Sequence, residues 1–237
     1  MKSLICSLFL LLSISILSAQ ECNNFFYLSR DAKFEVTMYD GKGIENGKQE
    51  WKIDDLKNEG SDLSAEVKTK FVDRRGREGI NAKGVYRCIS GTLNADIKMS
   101  LPQEQMQAFK NMDMKGDNSY MEYPVNLMAG QTLRNASYRM ETWNKGSRVA
   151  IITFNVLNRK VKGKETVSTA AGTWEAYKIN YNSQFKVEVS NTGRGIPMNF
   201  KIIEWFVPGY GIVKSETYNN NGKLVGSSQL TSLKLND

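Results

Sequence analysis

Four carboxylates on stretches of strand-like alternation, Glu175, Glu188, Glu204 and Glu216, are the side chains of this sequence best suited to acid/base chemistry. Two acids flanking a scissile bond are enough for glycoside hydrolysis, so a pair meeting across a concave face would make a glycosidase centre. Outward alternation of charged residues accounts for most of them without any site, which leaves the hydrolase behind the binding readings given below. The chain has no histidine. Its absence removes Ser-His-Asp and Cys-His nucleophile systems, the histidine-containing zinc sites and imidazole proton transfer. No catalytic residue, metal-ligand set or cofactor is expected.

Sulfur is the next candidate. Of the three cysteines, Cys6 falls in the leader described below, which leaves Cys22 and Cys88. In an oxidising compartment an even pair reads most simply as one disulfide. Closing a loop of that length stabilises a fold by about 4 kcal/mol in the chain-entropy picture, before native strain is subtracted. Seven of the ten methionines lie between Met99 and Met140. Met112 and Met114, with Met106 and Met121 nearby, loosely resemble thioether clusters that hold Cu(I), but their spacing is irregular and imidazole is absent. Methionine is flexible and polarizable, so adaptable apolar packing, either as core filler or as a ligand-facing lid, is the better reading. Trp51, Trp143, Trp174 and Trp205 sit in or beside predicted strands, where most aromatics are core. The ligand-facing set drawn from these residues is Met106, Phe109, Met112, Met114, Trp174 and Trp205.

The elements that must position these side chains are mostly strands. Leu63, Ala65, Val67, Thr69 and Phe71 alternate with Ser64, Glu66, Lys68 and Lys70, one apolar face against one charged face. The same period of two recurs at Phe34, Val36 and Met38, and at Phe185, Val187 and Val189. Turn residues separate the runs at Asp40 to Gly43, at Asp73 to Glu78, at Asn191 to Gly195 and at Asn221-Gly222, the last predicting a tight hairpin. Short connections make neighbours antiparallel, and a long antiparallel sheet coils. The predicted fold is therefore mainly all-β: a strongly curved antiparallel sheet, a half-barrel or open barrel, with one short helix near 102–110 that begins at Pro102.

Residues 1–20 read as a secretory signal peptide, with Lys2 followed by an apolar run from Leu4 to Leu17 and then Ser18, Ala19 and Gln20. Residues 21–237 read as a single β-rich domain. Gln20 and Glu21 stand where acylation of Cys22 needs small residues, so the expectation is an exported, soluble, unanchored protein of the periplasm or the exterior, with no transmembrane segment. The formal charge of +7 is spread along the chain. Its one local basic knot, Arg74, Arg75 and Arg77, is flanked by Asp73 and Glu78 and reads as a solvated turn. A basic excess of this size favours anionic glycans or lipid headgroups, while an exported chain without an aromatic-basic groove pattern is not expected to bind nucleic acid.

Three runs carry a resemblance: GTWEAYKINY from Gly172, YPVNLMAGQTL from Tyr123, and EWFVPGYGIVKSETYNNNGKLVG from Glu204. They resemble exported β-rich proteins of Bacteroidetes that form a domain family of unknown function, over roughly Cys22 to Leu235. The resemblance implies a curved antiparallel sheet, similar in architecture to the half-barrels of the lipoprotein carriers LolA and LolB. It carries no catalytic residues with it. Pro208, Gly209 and Gly211 in the closing run read as fold-defining breaks between two strands. The leading functional expectation is a non-enzymatic module that binds an apolar small molecule, or a lipidated or peptide partner, on the concave sheet face. The alternative is a structural or assembly factor that docks another envelope protein.

Overall fold

Period-two alternation places successive side chains on opposite faces, and in the computed structural model this produces thirteen strands in one antiparallel sheet. The structure describes residues 25–59, 62–79, 81–195 and 197–234. The expected signal peptide and Cys22 lie outside them. The strands are β1 (Lys33–Asp40), β2 (Glu45–Glu59), β3 (Asp62–Asp73), β4 (Ala82–Ile89) and β5 (Thr92–Asp96). They continue as β6 (Asp113–Gly116), β7 (Tyr120–Pro124), β8 (Ala136–Asn144) and β9 (Ser147–Thr169). The last four are β10 (Gly172–Val189), β11 (Pro197–Val207), β12 (Gly211–Tyr218) and β13 (Leu224–Lys234). Their order across the sheet is β6, β8 to β13, β1 to β5, then β7.

This order places the first and last strands side by side in mid-sheet, where Lys33 pairs with Lys234. It also makes two strands adjacent in sequence, β6 and β7, the opposite edges. Only Asp117, Asn118 and Ser119 join them. Four Cα steps cover at most about 14 Å, so the sheet has to curl until its edges converge. The curved half-barrel expected from the sequence is the fold observed.

The predicted alternation holds in detail on β3, where Leu63, Ala65, Val67 and Thr69 are buried and the residues between them are not. The Asp73 turn is closed by its own carboxylate, which accepts hydrogen bonds from Arg75 N, Arg77 N and the Arg77 side chain. Two tight hairpins carry left-handed pairs suited to strand twist: Ser90-Gly91 (φ 48° and 76°) and Lys145-Gly146 (φ 47° and 80°). The Asn221-Gly222 turn is looser than a two-residue hairpin. Asn219 Oδ1 accepts from Asn221 N and Lys223 N, and Gly222 alone takes a positive φ. The short helix near 102–110 is one α-turn, α1 (Gln103–Met106), opened by the Met106 N to Pro102 O bond and followed by a 3₁₀ turn, Gln107–Phe109.

The concave side is occupied by one continuous cluster of buried side chains drawn from nearly every element. A 3₁₀ turn at Phe26–Leu28 closes one end of it. Tyr27 packs edge-on against Phe34 at 4.7 Å and Tyr86 at 5.2 Å, and Phe34 stacks on Trp51 at 5.1 Å. Gly211 makes this seat. Its φ is +78°, and a Cβ there would lie 1.8 Å from the Tyr27 ring. The glycines of the closing run thus define the fold, as their spacing suggested.

Candidate functional site

Inside the curl the polar chemistry gathers at Glu204. Strand β11 is buried on both faces at Glu204–Val207, so its alternation no longer sends charge outward. Glu204, only 4 % exposed, faces the interior, the exception among the four acids to outward alternation. Tyr123 and Tyr181 donate their hydroxyls to its two carboxylate oxygens at 3.0 and 2.7 Å. Tyr123 stacks on Phe206 at 4.9 Å and carries the Arg159 guanidinium over its ring at 4.6 Å. Arg159, wholly buried, donates from Nη1 to the carbonyls of Glu122 and Arg134.

Burial pushes the Glu204 carboxyl above its usual range, and the two tyrosine hydroxyls and the Arg159 charge pull against that shift. The same burial holds the Tyr123 and Tyr181 hydroxyls protonated far beyond their ordinary range. A carboxylate sealed in this way has no path for exchanging a proton with a substrate. What it can do is mechanical. Through the two tyrosines it ties β11 to β10 and to edge strand β7, and Arg159 separately ties β7 to β9 and to the segment before β8. Among the described residues no group of three or more His, Cys, Asp or Glu side chains is placed to hold a metal ion.

The six residues singled out from sequence do not converge. Met106 and Phe109 are core, and Met112 packs partly buried against them. Met114 is 39 % exposed on edge strand β6. Trp174 leans on Tyr210 at 4.7 Å, near the tip of the β9–β10 hairpin. Trp205 points to the face opposite its neighbour Glu204. There Lys178 and Lys214 cover it from the adjacent strands, and its Nε1 donates to Glu165 at 2.6 Å. Cys88 is fully buried on β4, while its expected partner Cys22 lies outside the described residues.

A feature that the sequence reading missed lies on the outer face. Lys234, Lys33, Lys52, Lys68 and Lys83 stand directly opposite one another on β13, β1, β2, β3 and β4. One residue along each strand, Leu233, Phe34, Trp51, Thr69 and Ala82 form the parallel row on the inner face. The lysines line a groove of about 600 Å³ together with Lys70, against two glutamates, Glu35 and Glu50. Asp54 and Glu66 serve Lys52, Lys68 and Lys83 from beyond the row. These lysines are scattered over two hundred positions, and only the strand register aligns them.

The comparisons with known proteins fit this architecture. Residues 30–230 match the DUF3108-like family model. The chain belongs to the DUF3108-like family. Its fold is similar to that of a candidate exported protein with a YmcC-like fold from Bacteroides fragilis, at a TM-score of 0.73 and 23 % identity over 89 % of this chain and 99 % of that one. It is equally similar to a candidate lipoprotein from Parabacteroides distasonis, with a TM-score of 0.74 and 20 % identity over 89 % and 98 %. No curated protein matches the sequence. Among the described residues of this family member, no helix is long and apolar enough to cross a membrane.

Proposed function

We propose that this protein is a non-enzymatic binding module of the cell envelope that engages its partner through the outer face of the curled sheet. One contrast carries the reading: the concave side is taken up by the protein's own buried side chains, while a groove of about 600 Å³ opens on the other face of the same strands. An apolar ligand on the concave side would have to displace residues such as Met106 and Phe109, each of which is core. The Glu204 cluster serves closure of the sheet. Export and an unanchored mature chain belong to the same reading, supported by the leader pattern of residues 1–20 and the residues before Cys22. So does the Cys22–Cys88 disulfide, which would fasten the segment ahead of Phe25 to β4.

The test uses protein purified from its own host. Native mass spectrometry with solvent extraction should give the bare chain mass, two hydrogens lighter than the reduced form. A photo-crosslinker placed at Lys83 should form a discrete adduct in the host. An acyl chain or apolar peptide that co-purifies and leaves only on unfolding would put the site inside the sheet and overturn this reading.

A further inference from the structure

Like charges directly opposite each other on neighbouring strands destabilise a sheet. This fold nevertheless sets five lysines in one cross-strand row, as four successive Lys–Lys pairs. The row is not explained by internal neutralisation. Asp54 and Glu66 divide themselves among Lys52, Lys68 and Lys83, and Lys70 pairs with Glu78 at 2.6 Å. Lys234 and Lys33, adjacent at one end of the row, have no ion-pair partner among the described residues. Strand spacing makes the row about 19 Å long, one cation every ~4.8 Å. Lys33 and Lys234 are exposed, and the side chains of Lys68, Lys52 and Lys83 are 43 %, 48 % and 68 % exposed. Exposed ammonium groups have three freely turning donors and act as point charges, the chemistry that suits phosphate oxygens arriving in varied orientations.

We propose that this groove binds a linear ligand carrying phosphate groups along its length, laid across β13, β1, β2, β3 and β4. The inference rests on the outer-face reading above and gives its partner a chemistry. The groove favours a chain over a lipid surface because six lysines and two glutamates line a concave channel. A flat bilayer would reach only the tips of such side chains. Lys33 and Lys234 would take the ligand without giving up an internal partner. Lys52, Lys68 and Lys83 would share it with Asp54 and Glu66, so binding remains reversible and sensitive to salt.

The experiment measures binding of medium-chain inorganic polyphosphate to the full mature chain across a salt series. Affinity should fall with salt at a log–log slope of about −3, the order expected for about five neutralised phosphates on a flexible chain. The triple variant Lys33→Gln/Lys52→Gln/Lys234→Gln should lose affinity at least about tenfold and flatten the slope by about 2. A control of equal charge, Lys110→Gln/Lys160→Gln/Lys162→Gln, removes exposed lysines elsewhere and should bind like the parent. Circular dichroism and thermal melts on both variants establish that they are folded. Equal losses in the two variants would reduce the effect to net charge and overturn the proposal. So would an absence of parent binding at low salt, or binding to phosphatidylglycerol vesicles without binding to polyphosphate. If polyphosphate fails while the Lys83 crosslink still captures a partner, the phosphate chemistry falls and the outer-face reading stands.

Discussion

The inner and outer faces of β1 to β4 come from one alternation and solve opposite problems. Inside, the ring of Phe34 stacks on Trp51, and across the curl Arg159 sits over Tyr123, its Nη1 bonded to two carbonyls while its Nε and Nη2 find no hydrogen-bond partner among the described residues. Outside, one residue along, lysines face lysines. Glu204, held by two tyrosine hydroxyls, and Arg159, held by two backbone carbonyls, are buried groups whose removal leaves those partners unmatched, so they belong to stability. The lysine row adds nothing of that kind, and a feature that works slightly against the sheet points to a role beyond the fold.

The sharpest way to break this contrast is Arg159→Ala. It removes two hydrogen bonds to backbone carbonyls, opens a cavity over Tyr123 and takes a nearby buried positive charge from Glu204, and should cost about 3–5 kcal/mol in denaturant unfolding. Removing both charges, Arg159→Met with Glu204→Leu, should cost less than the sum of the single changes. An additive result would mean that the two do not work as a unit. Next in size is Gly211→Ala. The left-handed backbone and the approach to Tyr27 should together lower stability by about 2 kcal/mol, read from the same curves. A neutral result would remove Tyr27 from its place as the plug.

The smallest effect is a pH slope. Glu204 holds its proton more tightly folded than unfolded, so its contribution favours the folded state below the ordinary carboxylate value of 4.5 and is lost as pH rises through its own raised pKa. The slope is at most about 1.4 kcal/mol per pH unit. Comparing pH-dependent melts of the parent and Glu204→Gln should show the slope vanish in the variant. The exposed carboxylates Asp40, Asp54 and Asp73 have lowered pKa values and act in the opposite sense, so they are shared background in that comparison.

The strands, their antiparallel pairing and the curvature were legible because alternation and turn residues are local signals. Leu63 to Phe71 announces its inner face without knowledge of any partner. The site was not legible, for two separate reasons. Lys33, Lys52, Lys68, Lys83 and Lys234 become neighbours only through register, which bulges such as that between Glu35 and Val36 reset along the sheet. Glu204 and Trp205 were misplaced because β11 is covered on both sides at that point, by Tyr123 and Tyr181 within and by Lys178 and Lys214 without. A two-sided cover breaks the rule that charge marks the wet face. The methionine-rich stretch left core filler and lid open on composition alone, and Met99, Met106, Met121 and Met140 are buried packing.

The pairing of Lys33 with Lys234 has a consequence in time. A ribosome makes β1 first and β13 last, so one long edge of β1 has no partner for nearly the whole period of synthesis. β1 and β2 can form a hairpin early, but the sheet cannot join its halves until β13 has been made. Such long-range pairing makes for slow folding. The nascent chain therefore carries an open strand edge next to Phe34 until β13 arrives to cover it.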